Sequence, residues 1–362
     1  MLHQLHACLL CMCFYHIVSF SQFYSSTMKY IVRHQFRDIS AFGYKYYVTN
    51  FFDKLYISLK EHYPHHEFEI KNDESYENNG YGSIYSCMNF SIINPENDNY
   101  IVLSFFDNWK YHFMQHIGWK PQKMKGFFYA GGFDFWDYFS YKATAPHNLD
   151  LAFPKDIKNV YRPLFYSPYY DCCYEQMEEL YRSRKTKQLI PKLFFRGYMW
   201  DFRREMTSNL HQDESILIID KNQDGQNIDY SHYLSEMAEY SASLSLPGGT
   251  EVCNRDIECF GIGIPVIRPF LQVHYADPLV SNYHYINCYH SCDYSDSGYP
   301  KYISVKDFQD NLLYTWNKIK NNSEYLNFVS DNAREWFVKH CSSESNIQYV
   351  LNNLNLESLH ND

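Results

Sequence analysis

The chain lacks the excess of basic residues that a general nucleic-acid or anionic-membrane binder needs. Its 362 residues include 32 lysines and arginines against 42 aspartates and glutamates, for a formal charge of −10. Because polyanions are bound mainly through lysine and arginine, this balance argues against both classes of partner. Internal repeats and low-complexity tracts are also missing, and the length is sufficient for two cores of ordinary domain size.

Several catalytic motifs are missing as well. The sequence has no Walker lysine loop, no G-x-S-x-G elbow and no H-E-x-x-H helix. These motifs supply the catalytic groups of NTPases, α/β-hydrolases and zincins, so the sequence does not indicate any of these three enzyme classes. Gly261-Ile-Gly263-Ile-Pro265 is not a dinucleotide fingerprint, because it closes a predicted helix where the fingerprint would open one.

The 11 cysteines do not form a paired framework. Three lie inside the first apolar run and the other eight are scattered, so neither a disulfide scaffold nor a structural zinc site is indicated. Cys288, His290 and Cys292 alternate as metal ligands on a strand can, but they lack a clear fourth ligand. Ordinary loop residues are the simpler interpretation, and we predict no bound metal.

The N-terminal segment allows two interpretations. Residues 5–23 are modestly apolar and could act as a secretory signal or short anchor, although lysine and arginine are absent before them and His16 interrupts the run. Alternatively the fold begins near Met28, where a first strand is predicted. The second interpretation predicts a cytoplasmic protein; the first predicts the ER or Golgi lumen, with membrane association only if the segment is an anchor.

Alternating strand and helix patterns on both sides of a proline-rich gap predict two α/β domains. We expect an acceptor-side domain over 28–165, a linker over 166–190 and a second α/β domain with terminal helices over 191–362. The predicted strands are 30–35, 67–71, 100–106, 125–129, 191–197, 215–219 and 243–246, and the predicted helices are 50–63, 201–210, 230–240, 250–260 and much of 305–356.

The segment 243–269 is the most informative one. A short buried strand is followed by a turn at Pro247-Gly248-Gly249 and by a helix that Gly261 and Gly263 end. Two glycines before a helix leave backbone N–H groups bare at its positive end, a geometry that suits a phosphate. A tight turn without a ligand would explain the glycines equally well.

Arg255 lies close to the helix end that repels cations, so it needs an anion nearby. Glu251 is four residues earlier and could form an ordinary surface pair with it. Alternatively the anion is a diphosphate, with Glu251 and Glu258 hydrogen-bonding sugar hydroxyls.

Together with an upstream strand, Pro191-Lys-Leu-Phe-Phe-Arg196-Gly197, this segment resembles the donor-binding half of GT-B glycosyltransferases. In particular, it resembles the CAP10-like protein O-glucosyl- and xylosyltransferases and related bacterial and viral enzymes. The resemblance covers about 191–286, and Tyr198 stands where that family usually has serine. It implies that Arg196 and Arg255 hold the diphosphate. The donor site would also contain Gly197, Gly248, Gly249, Thr250, Glu251 and Glu258.

The resemblance further implies a GT-B fold, in which two Rossmann-like domains face a cleft and the C-terminus is helical. The expected activity is metal-independent transfer of a sugar from a nucleotide-sugar donor, such as a UDP-sugar, to a hydroxyl of a glycan or protein, without a further cofactor. The alternative is a non-catalytic relative that binds a sugar or a protein partner.

Asp107 is our candidate for the catalytic base. It ends the strongest strand of the first half, where an acid could take the proton of an acceptor hydroxyl. Aspartate is also a favoured residue at helix starts, so Asp107 could simply cap the segment after it. Asp134 and Asp137 are weaker candidates in an aromatic loop.

Overall fold

The computed structural model describes most of the second half of the chain and separate parts of the first half. The described residues are 27–33, 45–71, 89–104, 121–129, 161–163, 173–199, 201–221, 223, 228–246, 253–269, 271, 275–289, 293–294, 300–301 and 304–361. No helix within these ranges is long and apolar enough to cross a membrane.

The first half contributes a mixed sheet. Its strands within the described ranges are β1 (Lys29–Arg33), β2 (Glu67–Lys71), β3 (Asn89–Ile93), β4 (Tyr100–Ser104), β5 (Met124–Tyr129) and β6 (Tyr161–Pro163). Their order is β2-β1-β3-β4-β5-β6. β3 runs antiparallel to β1 and β4, whereas the other neighbouring pairs are parallel. The alternating strand and helix pattern did not predict β3, which lies antiparallel between β1 and β4.

One long helix, α1 (Lys45–His62), connects β1 to β2. Phe51, Phe52, Leu55 and Leu59 are fully buried. Their three- and four-residue spacing forms one apolar face, which is why this segment packs as a helix against the sheet. The predicted helix over 50–63 is therefore confirmed, with an earlier start.

The second half forms a parallel sheet. Its strands are β7 (Ile190–Gly197), β8 (Ile216–Asp220), β9 (Tyr240–Leu244), β10 (Val266–Pro269) and β11 (Ile286–Tyr289). Their order is β11-β10-β9-β7-β8, and each neighbouring pair is parallel. A short antiparallel pair, β12 (Asp293–Tyr294) with β13 (Pro300–Lys301), lies apart from it.

Helices cover the second sheet and form the C-terminus. They are α2 (Tyr174–Arg184), α3 (Asp201–Thr207), α4 (Tyr230–Met237), α5 (Asn254–Ile262), α6 (Val305–Ile319), α7 (Ser323–His340) and α8 (Ser343–Asn353). α5 packs against α2 and α7, while α3 packs against α6. Two separate sheets rich in parallel pairs, with helices and a helical C-terminus, confirm the predicted α/β class. The domain limits stay a prediction.

Strand β7 separates two cores. Leu193 and Phe195 belong to the core beside α3 and α6, whereas Phe194 belongs to the larger core that also contains α5 and α7 residues. This alternation follows from the two-residue period of a strand. It therefore predicts opposite directions for the side chains of Phe195 and Arg196.

The C-terminal end of the chain docks on the first sheet. A 3₁₀ helix, Leu356–His360, follows α8. Asn94, Asn97 and Asn99, in the turn between β3 and β4, each donate an amide hydrogen to the carbonyl of Leu359 at 2.9–3.0 Å. Because α8 also packs against α1, the last helices connect the second half of the chain to the first.

Replacing Asn99 by Asp tests this connection. Asn99 is fully buried and its amide also donates to the carbonyl of Asn361 at 2.9 Å. A carboxylate would face two carbonyl oxygens, so we expect the free energy of unfolding to fall by about 3 kcal/mol at neutral pH. Urea unfolding measures it. Asn311→Asp is the control, because Asn311 is exposed and donates only within α6; equal losses in both variants would contradict the docking role.

Candidate functional site

The order of strands in the second sheet locates a candidate site. β8 follows β7 on one side, whereas β9, β10 and β11 follow on the other. Successive strands are therefore added on opposite sides of β7, and the order of strands changes direction between β7 and β9, although all of these strands run parallel. Ligands of open α/β sheets bind outside the carboxyl ends of the strands at such a switch point. Gly197 ends β7, and Leu246 lies two residues beyond the end of β9.

Arg196 is the last residue but one of β7, and its side chain is paired. Its Nε lies 2.7 Å from Oε2 of Glu236 in α4, and its Nη2 donates to Oε1 at 2.9 Å. The guanidinium is buried. A buried two-point contact of this kind holds the side chain in one geometry. The structure thus directs the Arg196 charge toward α4.

Arg255 lies in the first turn of α5 and is also buried. Its Nη2 donates to the backbone carbonyl of Arg196, and its guanidinium carbon lies 4.1 Å from the centre of the Phe195 ring. A Cβ added to Gly197 would come within 2.8 Å of Nη2. The absence of a side chain at Gly197 therefore permits this close approach.

The structure brings Arg196 and Arg255 together through the backbone of Arg196. The Arg196 guanidinium binds Glu236 of α4, and the Arg255 guanidinium lies over the Phe195 ring and beside Tyr233 of the same helix. The convergence of the two side chains on one anion stays a prediction.

Arg203 in α3 is a second arginine whose guanidinium lies beside the ring of Phe195. Its guanidinium carbon lies 5.9 Å from the centre of the same Phe195 ring, and its Nη2 donates to the carbonyl of Leu246 at 2.9 Å. We did not predict this role. A signal was present, because Arg203 shares the buried side of its segment with Met206, Thr207 and Leu210, and arginine is rarely buried without partners.

Helix α5 begins at Asn254 rather than at the predicted position 250. Cys253 has extended backbone angles, and its N–H donates to Oδ2 of Asp256 at 2.7 Å. Asp256 in turn forms an ion pair with Arg268 of β10, with Nη1 and Oδ2 2.5 Å apart. A carboxylate three residues inside the helix satisfies one of its free N–H groups. As predicted, Gly263 ends the helix, with a φ of 71°.

Glu258 is buried in α5 beneath two tyrosines of α4. The Tyr230 hydroxyl donates to Oε1 at 2.9 Å and the Tyr233 hydroxyl to Oε2 at 3.1 Å. Burial raises the pKa of Glu258, although these hydrogen bonds and the charge of Arg255 oppose the shift. Burial and the Glu258 carboxylate also raise the pKa of Tyr233. Within the described residues, both carboxylate oxygens of Glu258, which we expected to bind a sugar, thus accept hydrogen bonds from tyrosines.

The remaining predicted residues lie outside the described part of the chain. They are Asp107, Asp134, Asp137, Gly248, Gly249, Thr250, Glu251, His290 and Cys292. Their assignments stay predictions. Cys288 is described and buried, and burial raises the pKa of its thiol.

The electrostatics of Glu258 lead to a pH-dependent prediction. A folded-state pKa above the usual 4.5 means that the stability contributed by Glu258 is fully present at low pH and is lost as pH rises through the raised value. Glu258→Gln removes this ionisation. In urea unfolding, we expect the unfolding free energy of the variant, relative to wild type, to improve as pH rises above 4.5 and to level off once Glu258 is ionised in the folded state.

The matched control for this measurement is Glu239→Gln, since Glu239 is exposed just after α4. It reports the effect of the same substitution at an exposed site. A change with pH for Glu258→Gln that does not exceed the change for this control would contradict the raised pKa of Glu258.

Comparisons with known proteins give structural similarity only. No protein-family model and no curated protein matches the chain. A glycosyltransferase from Rickettsia africae aligns with 87% of the chain and 82% of its own length, at 10% identity and a TM-score of 0.40. S. aureus TarM, in a complex with UDP, alpha-GlcNAc-glycerol and fondaparinux, aligns with 74% of the chain and 64% of its own length, at 12% identity and a TM-score of 0.34. Sucrose-phosphate synthase from Thermosynechococcus elongatus covers 50% of the chain and 41% of its own length, at 10% identity and a TM-score of 0.30.

Proposed function

We propose that the chain is a glycosyltransferase that uses a nucleotide-sugar donor. The observation that carries the proposal is the convergence of Arg203 and Arg255 on the ring of Phe195, at the switch point between β7 and β9. Arg255 lies near the start of α5, at the edge of the sheet where ligands of parallel sheets bind. Its guanidinium would bind the diphosphate, since guanidinium groups bind phosphate oxygens well, and Arg203 would hold the surrounding strands in place.

The finer assignments rest on the sequence resemblance. We propose a GT-B enzyme of the CAP10-like group, a UDP-sugar as donor and a hydroxyl of a glycan or protein as acceptor. Transfer without a metal is consistent with the arginines, since positive side chains and a helix end can neutralise a departing diphosphate. Asp107 is proposed as the base that takes the acceptor proton.

A second candidate function is a non-catalytic binding module of the same architecture. It is supported by the contacts of the arginines within the protein: Arg196 is held by Glu236, and Arg255 donates to a backbone carbonyl. A ligand that needs both side chains would have to replace these contacts. Binding without turnover would favour this second candidate.

A nucleotide-sugar panel decides between the two. UDP-, GDP-, CMP- and dTDP-sugars are tested by thermal shift, and each donor that binds is then tested for hydrolysis and transfer. A donor at 100 times its Kd should stabilise the fold by about 2.7 kcal/mol. Binding with hydrolysis or transfer supports the enzyme, binding alone supports the module, and no binding by any donor contradicts the enzyme.

Gly197→Ala tests the position of Arg255 without removing its charge. The added Cβ would lie 2.8 Å from Nη2, so the guanidinium must move. We expect the Kd of the donor to rise about tenfold, or about 1.4 kcal/mol, with the unfolding free energy changed by about 1 kcal/mol or less. Calorimetric titration measures the Kd.

Gly126→Ala is the matched control, because its Cβ would meet Ile101 at 3.0 Å in the first sheet. Its donor Kd is expected to stay close to wild type. Unchanged donor affinity in Gly197→Ala would show that the Arg255 geometry is irrelevant to binding.

Asp107→Asn tests the proposed base. Removing proton transfer at the transition state should lower kcat for transfer by about 10²-fold or more, with donor Kd nearly unchanged. Asp134→Asn and Asp137→Asn are compared in the same transfer assay. Wild-type transfer by Asp107→Asn, with a loss in either of the others, would reassign the base.

A further inference from the structure

We propose that Arg203 is a positioning residue that fixes the carboxyl ends of β7 and β9 relative to each other. By doing so it keeps Phe195 and the Arg255 guanidinium in place for an anionic ligand. The consequence for ligand binding rests on the proposed function. The structural role of Arg203 can be tested without any ligand.

The contacts of Arg203 join the two strands that flank the switch point. Its Nη1 donates to the carbonyl of Tyr198, immediately after β7, at 3.3 Å, and its Nη2 donates to the carbonyl of Leu246, just after β9, at 2.9 Å. These two carbonyls belong to segments 48 residues apart in the sequence. A planar guanidinium can bridge two acceptors with fixed geometry, which a lysine ammonium on a flexible stem does not reproduce.

Cys253 completes the contact at Leu246. Its Sγ lies 3.1 Å from the same carbonyl oxygen and 3.5 Å from Nη2 of Arg203. Burial raises the pKa of the Cys253 thiol, although Arg203 opposes the shift, so the thiol keeps the proton that it donates. One contact group therefore includes Arg203, Leu246 and Cys253, the residue that precedes α5.

This contact group lies beside Arg255. Cys253 caps the helix in which Arg255 is the second residue. The guanidinium groups of Arg203 and Arg255 both lie beside the ring of Phe195. A change in the separation of β7 and β9 would move that ring and the start of α5 relative to each other. Arg203 thus acts on ligand binding through the placement of Arg255, and its own described hydrogen bonds are to protein atoms.

The neighbouring Arg204 provides a matched control. Arg204 is in the same helix, carries the same charge and also donates to a carbonyl after β7, that of Met199, at 3.1 Å. It is exposed, whereas Arg203 is buried and reaches Leu246 after β9. We compare Arg203→Lys with Arg204→Lys, and Arg203→Met with Arg204→Met. The readouts are hydrogen exchange of the backbone amides at 244–246 and 253–255 without ligand, the donor Kd, and kcat and KM for donor hydrolysis.

We expect Arg203→Lys to speed exchange at those amides at least about tenfold while amides of the first sheet keep their wild-type rates. Donor Kd and KM should rise about tenfold, with a smaller change in kcat, and methylguanidinium should partly restore the affinity of Arg203→Met. The Arg204 variants should match wild type in every readout.

Wild-type exchange in Arg203→Lys would overturn the proposal. Lost affinity with unchanged exchange would also overturn it, since Arg203 would then act by direct contact with the ligand. If no nucleotide sugar binds the wild-type protein, the proposed function fails, whereas the exchange result still decides the role of Arg203. If neither Arg203→Lys nor Arg203→Met folds, Arg203→Gln, whose side-chain amide keeps a donor, replaces them, and wild-type exchange at 244–246 in that variant overturns the proposal.

Discussion

The buried ion pair between Asp256 and Arg268 is the interaction on which the candidate site depends. Both side chains are at most 1% exposed, so neither charge can be solvated if the other is removed. Breaking one partner of such a pair typically costs about 3–5 kcal/mol, although the intact pair adds little net stability. Its effect is geometric: the same carboxylate receives the N–H of Cys253. The pair therefore fixes the start of α5 against β10.

The other end of α5 is held by cations. Arg334 of α7 donates to the carbonyl of Gly261, and Arg184 of α2 donates to the carbonyl of Gly263 at 3.2 Å. The last carbonyl groups of a helix have no partner within it and carry partial negative charge. An acid at the first turn and arginines at the last turn therefore match the helix dipole. Because both ends of α5 are constrained, Arg255 lies on a rigid helix rather than on a loop.

Much of the fold was predictable because it depends on local patterns. The apolar run of β7, the alternation in β2 and the glycine at the end of α5 were all identified from neighbouring residues. β3 was missed because its strand character depends on pairing with β1 and β4. The start of α5 was placed four residues too early, since the cap uses Asp256 and not the glycine pair. Each failure concerns an interaction that residue spacing does not display.

The same distinction applies to the candidate site. The sequence indicated that Arg196 and Arg255 would meet, and their segments do, but the partner of the Arg196 side chain is Glu236, forty residues away. Along a strand, one residue decides which core a side chain faces. Phe195 and Arg196 therefore belong to different environments although they are adjacent. Arg203, whose helix packs on the Phe195 side of the sheet, and Arg255 both lie beside the Phe195 ring, whereas Glu236 holds the Arg196 side chain. The contacts of one aromatic side chain, and not the order of arginines in the sequence, therefore define the candidate site.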